Sequence, residues 1–586
     1  MHNHGKLNRH RSLSLVRRVS LGTTLLLAGW LSIGVTQADG DPAMGERFYW
    51  EGLNRAGEAV PIVLQGDVEG RSNRFPCVSC HRPSGFGGSE GGQFVLPITQ
   101  PILFNESSSD QERRNRRFRD MFKEKQGTSF DARMHTPDLR PAYTDETLAT
   151  AIRSGMDPAG RDLAEAMPRY QLGEQTMADL IAYLKTLSAE TSPGVTDDTL
   201  HLATVVANDV EPEKQKAMLD TIEVFFDWYN KDIRGQQARP GFSPYYRSQF
   251  SSSYRIWKLH VWRLEGPPSS WREQLQAYYA EQPVFAVVSG VVNGSWAPVD
   301  GFCDAKKLPC LFPNTDLPDT EDAENGYSLY FSRGLVLEAE ALAAHLAQQP
   351  EPPRHIVQIA VEQPEGQIPA QTFERAIRNA FGDSRVSTRL VADDEDALAE
   401  AIASIDSAES ASDSARHGDE VLVIWPGDRD NAGIAALNRH APDYAAIVLP
   451  STALATAQTQ LAEELYDRVR LTFPYEKPSA IHPRRYRVRA WMRSQRLTVT
   501  HPRLQLQTYY ALTQMQFAFD NLIADFYRDY LIEFIEHEAE ANLNPGVYPS
   551  LSLGPGQRFA SKGAFIMKLS KESKDGYKAV TDWIVP

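Results

Sequence analysis

Gln282-Pro-Val-Phe-Ala-Val-Val-Ser-Gly290 is an apolar run closed by a serine and a glycine, and it continues into Val-Val-Asn293-Gly294-Ser295. A short run without polar alternation suits a strand buried on both faces of a sheet. Outward from it the same signal recurs. Residues 200–207, 255–262, 308–312, 356–361, 421–425 and 445–449 read as strands, and 217–229, 335–346 and 371–380 read as helices between them. Buried strands alternating with helices imply parallel sheets of the α/β class. In such sheets small molecules bind outside the carboxyl ends of the strands. Ser289, Asn293 and Ser295 are therefore candidate ligand contacts, although Gly, Asn and Ser are also ordinary turn residues.

Far upstream lies a different signal, Phe75-Pro-Cys77-Val-Ser-Cys80-His81. In CxxCH the two thiols reach one porphyrin edge and add across its vinyl groups, and the following imidazole lies under the iron. A thioredoxin-like redox pair would need a βαβ context, and these flanks read as loop. A zinc site would need further Cys or His ligands at suitable spacing, which the neighbourhood lacks. The expectation is one covalent haem c, with Cys77 and Cys80 as attachment points and His81 as iron ligand.

The 586 residues, 42% apolar and 23% charged, are enough for two to four core-forming units. Lys6, Arg9, Arg11, Arg17 and Arg18 precede an apolar stretch over residues 19–35, and Ala38 offers a small residue for cleavage. Residues 1–38 are thus expected to be a cleaved signal peptide that makes the protein periplasmic, the alternative being an uncleaved anchor. Beyond them the chain carries 56 basic against 76 acidic residues, a formal −20. That balance argues against a nucleic-acid partner. No other stretch has the length and apolarity of a membrane span. Cys303 and Cys310 form the second local cysteine pair and are expected to be disulfide-bonded.

Residues 41–187 resemble the class I c-type cytochromes. Gly45, Phe48 and Tyr49 match the first helix of that family, and Met177-Ala-Asp-Leu-Ile-Ala-Tyr-Leu-Lys-Thr-Leu187 matches the last. The resemblance implies an all-α cytochrome c domain over 39–187. It also places Met167 as the second axial iron ligand, with Met156, Met134 and His135 as alternatives. A glycine-rich loop at 85–92 and a basic cluster (Arg113, Arg114, Arg116, Arg117, Arg119) fill the long gap between motif and methionine. The cluster is either a dock for an acidic redox partner or a solvated face.

Residues 188–198, polar with Pro and Gly, read as a linker. From 199 to 586 the chain is similar to the type I periplasmic substrate-binding proteins of the branched-chain amino acid receptor kind. The similarity rests on the stretch quoted first, on Leu308-Pro-Cys-Leu-Phe-Pro313, on Tyr327-Ser-Leu-Tyr-Phe-Ser-Arg-Gly334 and on Asp419-Glu-Val-Leu-Val-Ile-Trp-Pro-Gly427. It implies a two-lobed α/β domain with a small-molecule ligand between the lobes. Asn230-Lys-Asp-Ile-Arg-Gly235 and an arginine-rich stretch after Pro483 depart from the family pattern. That stretch is read as a solvated, salt-bridged surface, and residues 504–535 as core helix. The functional expectation is a periplasmic carrier that relays electrons between a dehydrogenase and a membrane oxidase or another cytochrome and has a small-molecule-binding or partner-docking domain. The alternatives are a ligand-binding sensory protein whose haem responds to closure, and a peroxidase-like enzyme if the sixth iron position is open. No catalytic residue stands out.

Overall fold

A computed structural model of the chain describes residues 39–90, 93–107, 139–238, 255–319, 326–382, 385–409, 420–477, 483–522, 525–538 and 546–586. The expected signal peptide, the basic cluster at 113–119, Met134 and His135 lie outside these residues.

The N-terminal segment is built on two crossing helices, Pro42–Glu51 and Glu174–Leu184. Asp41 caps the first by accepting from the Ala43 N–H, Pro42 presets its first turn, and Gly52 ends it in the left-handed conformation. The helices cross at Gly45, where a β-carbon would lie 2.0 Å from the Asp179 carbonyl oxygen. No residue with a side chain allows that approach. Phe48 and Tyr49 are fully buried beside it, with Met177, Leu180, Ile181 and Leu184. Arg55 pairs with the buried Asp179 carboxylate at 2.6 and 2.7 Å and ties the loop after the first helix to the second.

The segment is not all-α. Strands β1 (Pro61–Leu64), β2 (Val68–Arg71) and β5 (Arg169–Tyr170) form an antiparallel sheet in the order β2-β1-β5, and β3 (Ser89–Glu90) and β4 (Gln93–Phe94) make a short hairpin. The cause is local. Pro61-Ile-Val-Leu64 is an extended, β-branched run, and Gly66 and Asp67 take positive φ at its reversal.

The rest of the chain forms two lobes, each on a mostly parallel sheet. The first contains β6 (Thr199–Ala207), β7 (Ile256–Leu264), β8 (Ala286–Val288), β9 (Cys310–Leu311) and β10 (Ser328–Leu329), ordered β10-β9-β8-β6-β7. The second contains β11 (His355–Val361), β12 (Val386–Val391), β13 (Glu420–Trp425), β14 (Ala446–Leu449) and β15 (Val469–Phe473), ordered β12-β11-β13-β14-β15, with antiparallel β16 (Phe565–Leu569) and β17 (Tyr577–Ala579) added at the β15 edge. In both lobes the first strand lies between the second and the third. Strand order thus reverses once in each lobe, and a crevice opens there at the carboxyl ends.

The chain passes between the lobes three times, after β10, after β15 and before β16. After β15 it returns helices Pro483–Ser494, Pro502–Leu522 and Arg528–Glu538 to the first lobe, where Met492, Tyr510, Met515, Phe519 and Leu531 join its core. The expected single helix over 504–535 is therefore two, because Asp525–Tyr527 turns the chain between them. The Cys303–Cys310 disulfide is present and links helix Ala297–Ala305 to β9.

Candidate functional site

Cys77–His81 forms a single helical turn. Cys77 and Cys80 are not joined to each other in a disulfide. Burial pushes the Cys77 thiol up to about 12 and lowers His81 to about 4, so both side chains are neutral near pH 7. His81 Nδ1 is 3.0 Å from the Leu96 carbonyl oxygen. A carbonyl only accepts, so Nδ1 carries the proton and the Nε2 lone pair is free to bind a metal. Phe75 and Leu96, which bracket this turn in sequence, keep 39% and 47% of their surface exposed. Met167 is half-buried just before β5, where its carbonyl accepts from Arg169 at 2.6 Å. Met156 is 44% exposed.

This turn is fastened to the first lobe. Just after His81, Ser84 donates from its N–H to Glu533 Oε1 at 2.7 Å and from its hydroxyl to Oε2 at 2.5 Å. Phe86 stacks on Tyr530 with ring centres 4.2 Å apart. Ser188 donates to the Ser84 carbonyl, and Tyr49 to that of Arg82. Glu533 belongs to helix Arg528–Glu538, and burial raises its carboxyl well above the usual range, with Asp529 and Glu536 adding to the rise. The Glu536 carboxylate pairs with Arg558 and lies in the field of Arg82. Two features of this junction are legible in sequence: Phe86 in the glycine-rich loop, and an acid inside the apolar Leu531-Ile-Glu533-Phe-Ile535 run.

The second feature is the cleft between the lobes. Gly294, on the loop after β8, faces the carboxylate of Glu365 on the helix after β11, whose Oε1 would lie 3.5 Å from a β-carbon placed at Gly294. Asp316, after β9, lies close enough to Asp430, after β13, to raise its carboxyl. Asp430 is pushed up to about 7, first by burial and then by Asp428 and Asp316. Glu365 is raised by burial and by the same two carboxylates. Arg503, on the crossing helix Pro502–Leu522, is solvent-exposed, lies 4.5 Å from the Tyr475 ring centre and sits in the field of Asp316 and Glu338. Glu338 is buried, accepts from the Ser451 N–H at 2.8 Å and is raised to about 7 by its burial.

The three expected contacts occupy different places around this cleft. Ser289 is buried at positive φ, and its hydroxyl meets Asn314 Nδ2 at 2.8 Å and Thr508 Oγ1 at 3.2 Å. It joins the first sheet to the crossing helix. Asn293 is exposed and donates to the Asp209 carbonyl, and Ser295 accepts from the Ala297 N–H. Asp316, Glu365, Asp428, Asp430 and Arg503 had no local motif to single them out. Their positions just past strand ends, or on a helix returning from the other lobe, were the available signal. Among the described residues no group of three His, Cys, Asp or Glu is placed to hold a metal ion, and no helix is long and apolar enough to cross a membrane.

No protein-family description matches this chain, and no curated protein is similar to it at a significant level. Solved structures do align. An ABC transporter substrate-binding protein from Sphaerobacter thermophilus aligns at 12% identity and a TM-score of 0.49, over 66% of this chain and 98% of its own. A possible leucine/isoleucine/valine-binding protein from Rhodopirellula baltica SH 1 aligns at 15% and 0.47, over 67% and 98%. A fatty acid ABC transporter substrate-binding protein from Thermomonospora curvata aligns at 15% and 0.46, over 68% and 95%. Likeness at this level says nothing about ligand or activity, and the two-lobed architecture rests on the strand order described above.

Proposed function

We propose that this chain is an exported binding protein that takes a small molecule between its lobes and carries a c-type haem whose redox state is coupled to that binding. The observation that carries the reading is the junction of Ser84 with Glu533, because it fastens the segment of the CxxCH turn to a helix of the first lobe. The next helix in contact with it, Pro502–Leu522, touches Ser289 and Asn314 through Thr508 and carries Arg503 into the cleft. A lobe movement on ligand binding is therefore transmitted through packed helices to the haem segment.

The donor set fits a covalently bound haem: two unlinked thiols on one turn, an imidazole with its Nδ1 proton already engaged, and exposed apolar side chains on both sides. Cys77 and Cys80 would hold the group by thioether bonds, His81 would ligate through Nε2, and Met167 would offer a thioether as a second ligand. A bound haem supplies one-electron transfer at a potential set by that ligand pair. The protein's part is to fix the imidazole through Leu96 and to exclude water with Phe75 and Leu96. In the cleft, Arg503 supplies a guanidinium for an anionic group of the ligand, and the Asp316, Glu365, Asp428 and Asp430 carboxylates favour a positive charge elsewhere on it. A protein redox partner in the periplasm would exchange electrons with the bound group.

Intact mass tests the reading first. A denatured mass equal to residues 39–586 plus one haem supports export and attachment, and a haem-free mass refutes the haem assignment. Additional mass present only under native conditions identifies the ligand. Titrating the stripped protein with that ligand should shift the haem midpoint potential. An unchanged potential would leave an electron carrier with an uncoupled docking domain.

A further inference from the structure

Between Glu476 and Asp520 the sequence contains no acidic residue but eight basic ones, in a chain otherwise rich in carboxylates. Helix Pro483–Ser494 lies in this block. Its Val488 and Met492 enter the core of the first lobe. On the outside, Tyr486, Arg489 and Arg493 follow at steps of three and four, so they share one stripe, and Arg496 lies just past the helix at positive φ. Arg487 flanks the stripe. All five side chains are exposed, Tyr486 by 61%. Among the described residues, Arg487, Arg489, Arg493 and Arg496 make no ion pair and no side-chain hydrogen bond. At these four arginines the salt bridges expected from the sequence are absent among the described residues, and neither the helix nor its continuation carries a carboxylate.

We propose that this ridge is an electrostatic docking surface for an anionic lipid bilayer. Three long guanidinium side chains on the helix and a fourth just past its end can adapt to a fluid array of lipid phosphates. Carboxylates fixed on a partner protein would instead have to match their spacing. The exposed Tyr486 on the same stripe has the apolar body and polar tip that suit the headgroup region. The −20 charge of the chain beyond residue 38 repels an anionic sheet, so the molecule approaches it ridge first. The apolar face of the helix is already spent on the core, so the ridge adsorbs without inserting and the contact is salt-sensitive.

The test is co-sedimentation of the full mature protein with phosphatidylcholine vesicles, with and without about 30 mol% phosphatidylglycerol. Partition should require the anionic lipid and fall away at high salt. Each arginine contributes roughly fivefold, so R489E/R493E should lower partition by ~25-fold or more with an unchanged thermal melt. An exposed control on the second lobe, R439E, should bind like the parent. Equal binding to pure phosphatidylcholine, or binding unaffected by R489E/R493E, would overturn the proposal. Retention on immobilised polyglutamate with none on vesicles would also overturn it, by assigning the ridge to an acidic protein.

Discussion

Glu533 offers the sharpest test of how the N-terminal segment is held. Its carboxyl is buried and raised well above the usual range, so the neutral form is favoured in the folded protein. In Glu533→Gln the amide oxygen can still accept from the Ser84 N–H and the amide NH2 can donate to the Ser84 hydroxyl. In Glu533→Ala both bonds go and the Ser84 N–H is left buried without a partner. Two hydrogen bonds at about 1 kcal/mol each, together with an unsatisfied donor, put the alanine cost at roughly 2–3 kcal/mol. The glutamine cost should stay under about 1 kcal/mol. The sign of the pH dependence follows from the raised value. A carboxyl that binds its proton more tightly when folded stabilises the junction at low pH, and that stabilisation is lost as pH rises from the ordinary carboxylate range to the raised one. The glutamine variant has no such loss, so it should gain on the parent as the medium becomes alkaline.

Amide hydrogen exchange of the peptide spanning Ser84 and Phe86 reads this junction directly. It does not require the whole molecule to unfold in two states, which a protein of several cores does not guarantee. Protection should fall about 30- to 150-fold in Glu533→Ala and change little in Glu533→Gln. If glutamine deprotects as much as alanine at pH 8, an ionised carboxylate is holding the junction and the burial argument is wrong. If alanine has no effect, the stacking of Phe86 on Tyr530 holds the segment without Glu533.

Asp430→Asn should raise the thermal midpoint at pH 8 and leave it almost unchanged near pH 4, since the carboxyl is shifted from an ordinary 3.8 to about 7. Complete burial would put the gain at ~4 kcal/mol, and the partial exposure of Asp430 makes the real gain smaller. Gly45→Ala places a methyl against the Asp179 carbonyl and should cost at least ~2 kcal/mol, seen as loss of protection in Pro42–Glu51 and Glu174–Leu184 while the lobes keep theirs. Arg558→Met strands the buried Glu536 carboxylate and should cost about 3–5 kcal/mol at pH 8 but less at pH 5, measured by urea denaturation.

The apolar strands announced themselves in the sequence because a strand covered on both faces has no polar alternation to hide it. That gave β6, β8, β11, β13 and β14 and with them the α/β class. β12 was not legible, since only its end residues Val386 and Val391 are buried and the four between them are exposed. β15 was missed because Arg470 and Thr472 interrupt its short apolar run, and β16 because it pairs with β15 across about a hundred residues, which leaves no local trace. The CxxCH turn needed no structure to be seen, because its chemistry demands adjacent residues. The Cys303–Cys310 pair was similarly local. The cleft and the junction are the opposite case. Asp316, Glu365, Asp430 and Arg503 come together only because two sheets present their carboxyl ends to each other and a helix returns across the gap. Glu533 meets Ser84 across 449 positions of sequence. The order of apolar and charged side chains along the chain is enough to decide where strands and helices form. Which charged groups face one another depends on how those elements pack, and the tertiary structure alone decides that.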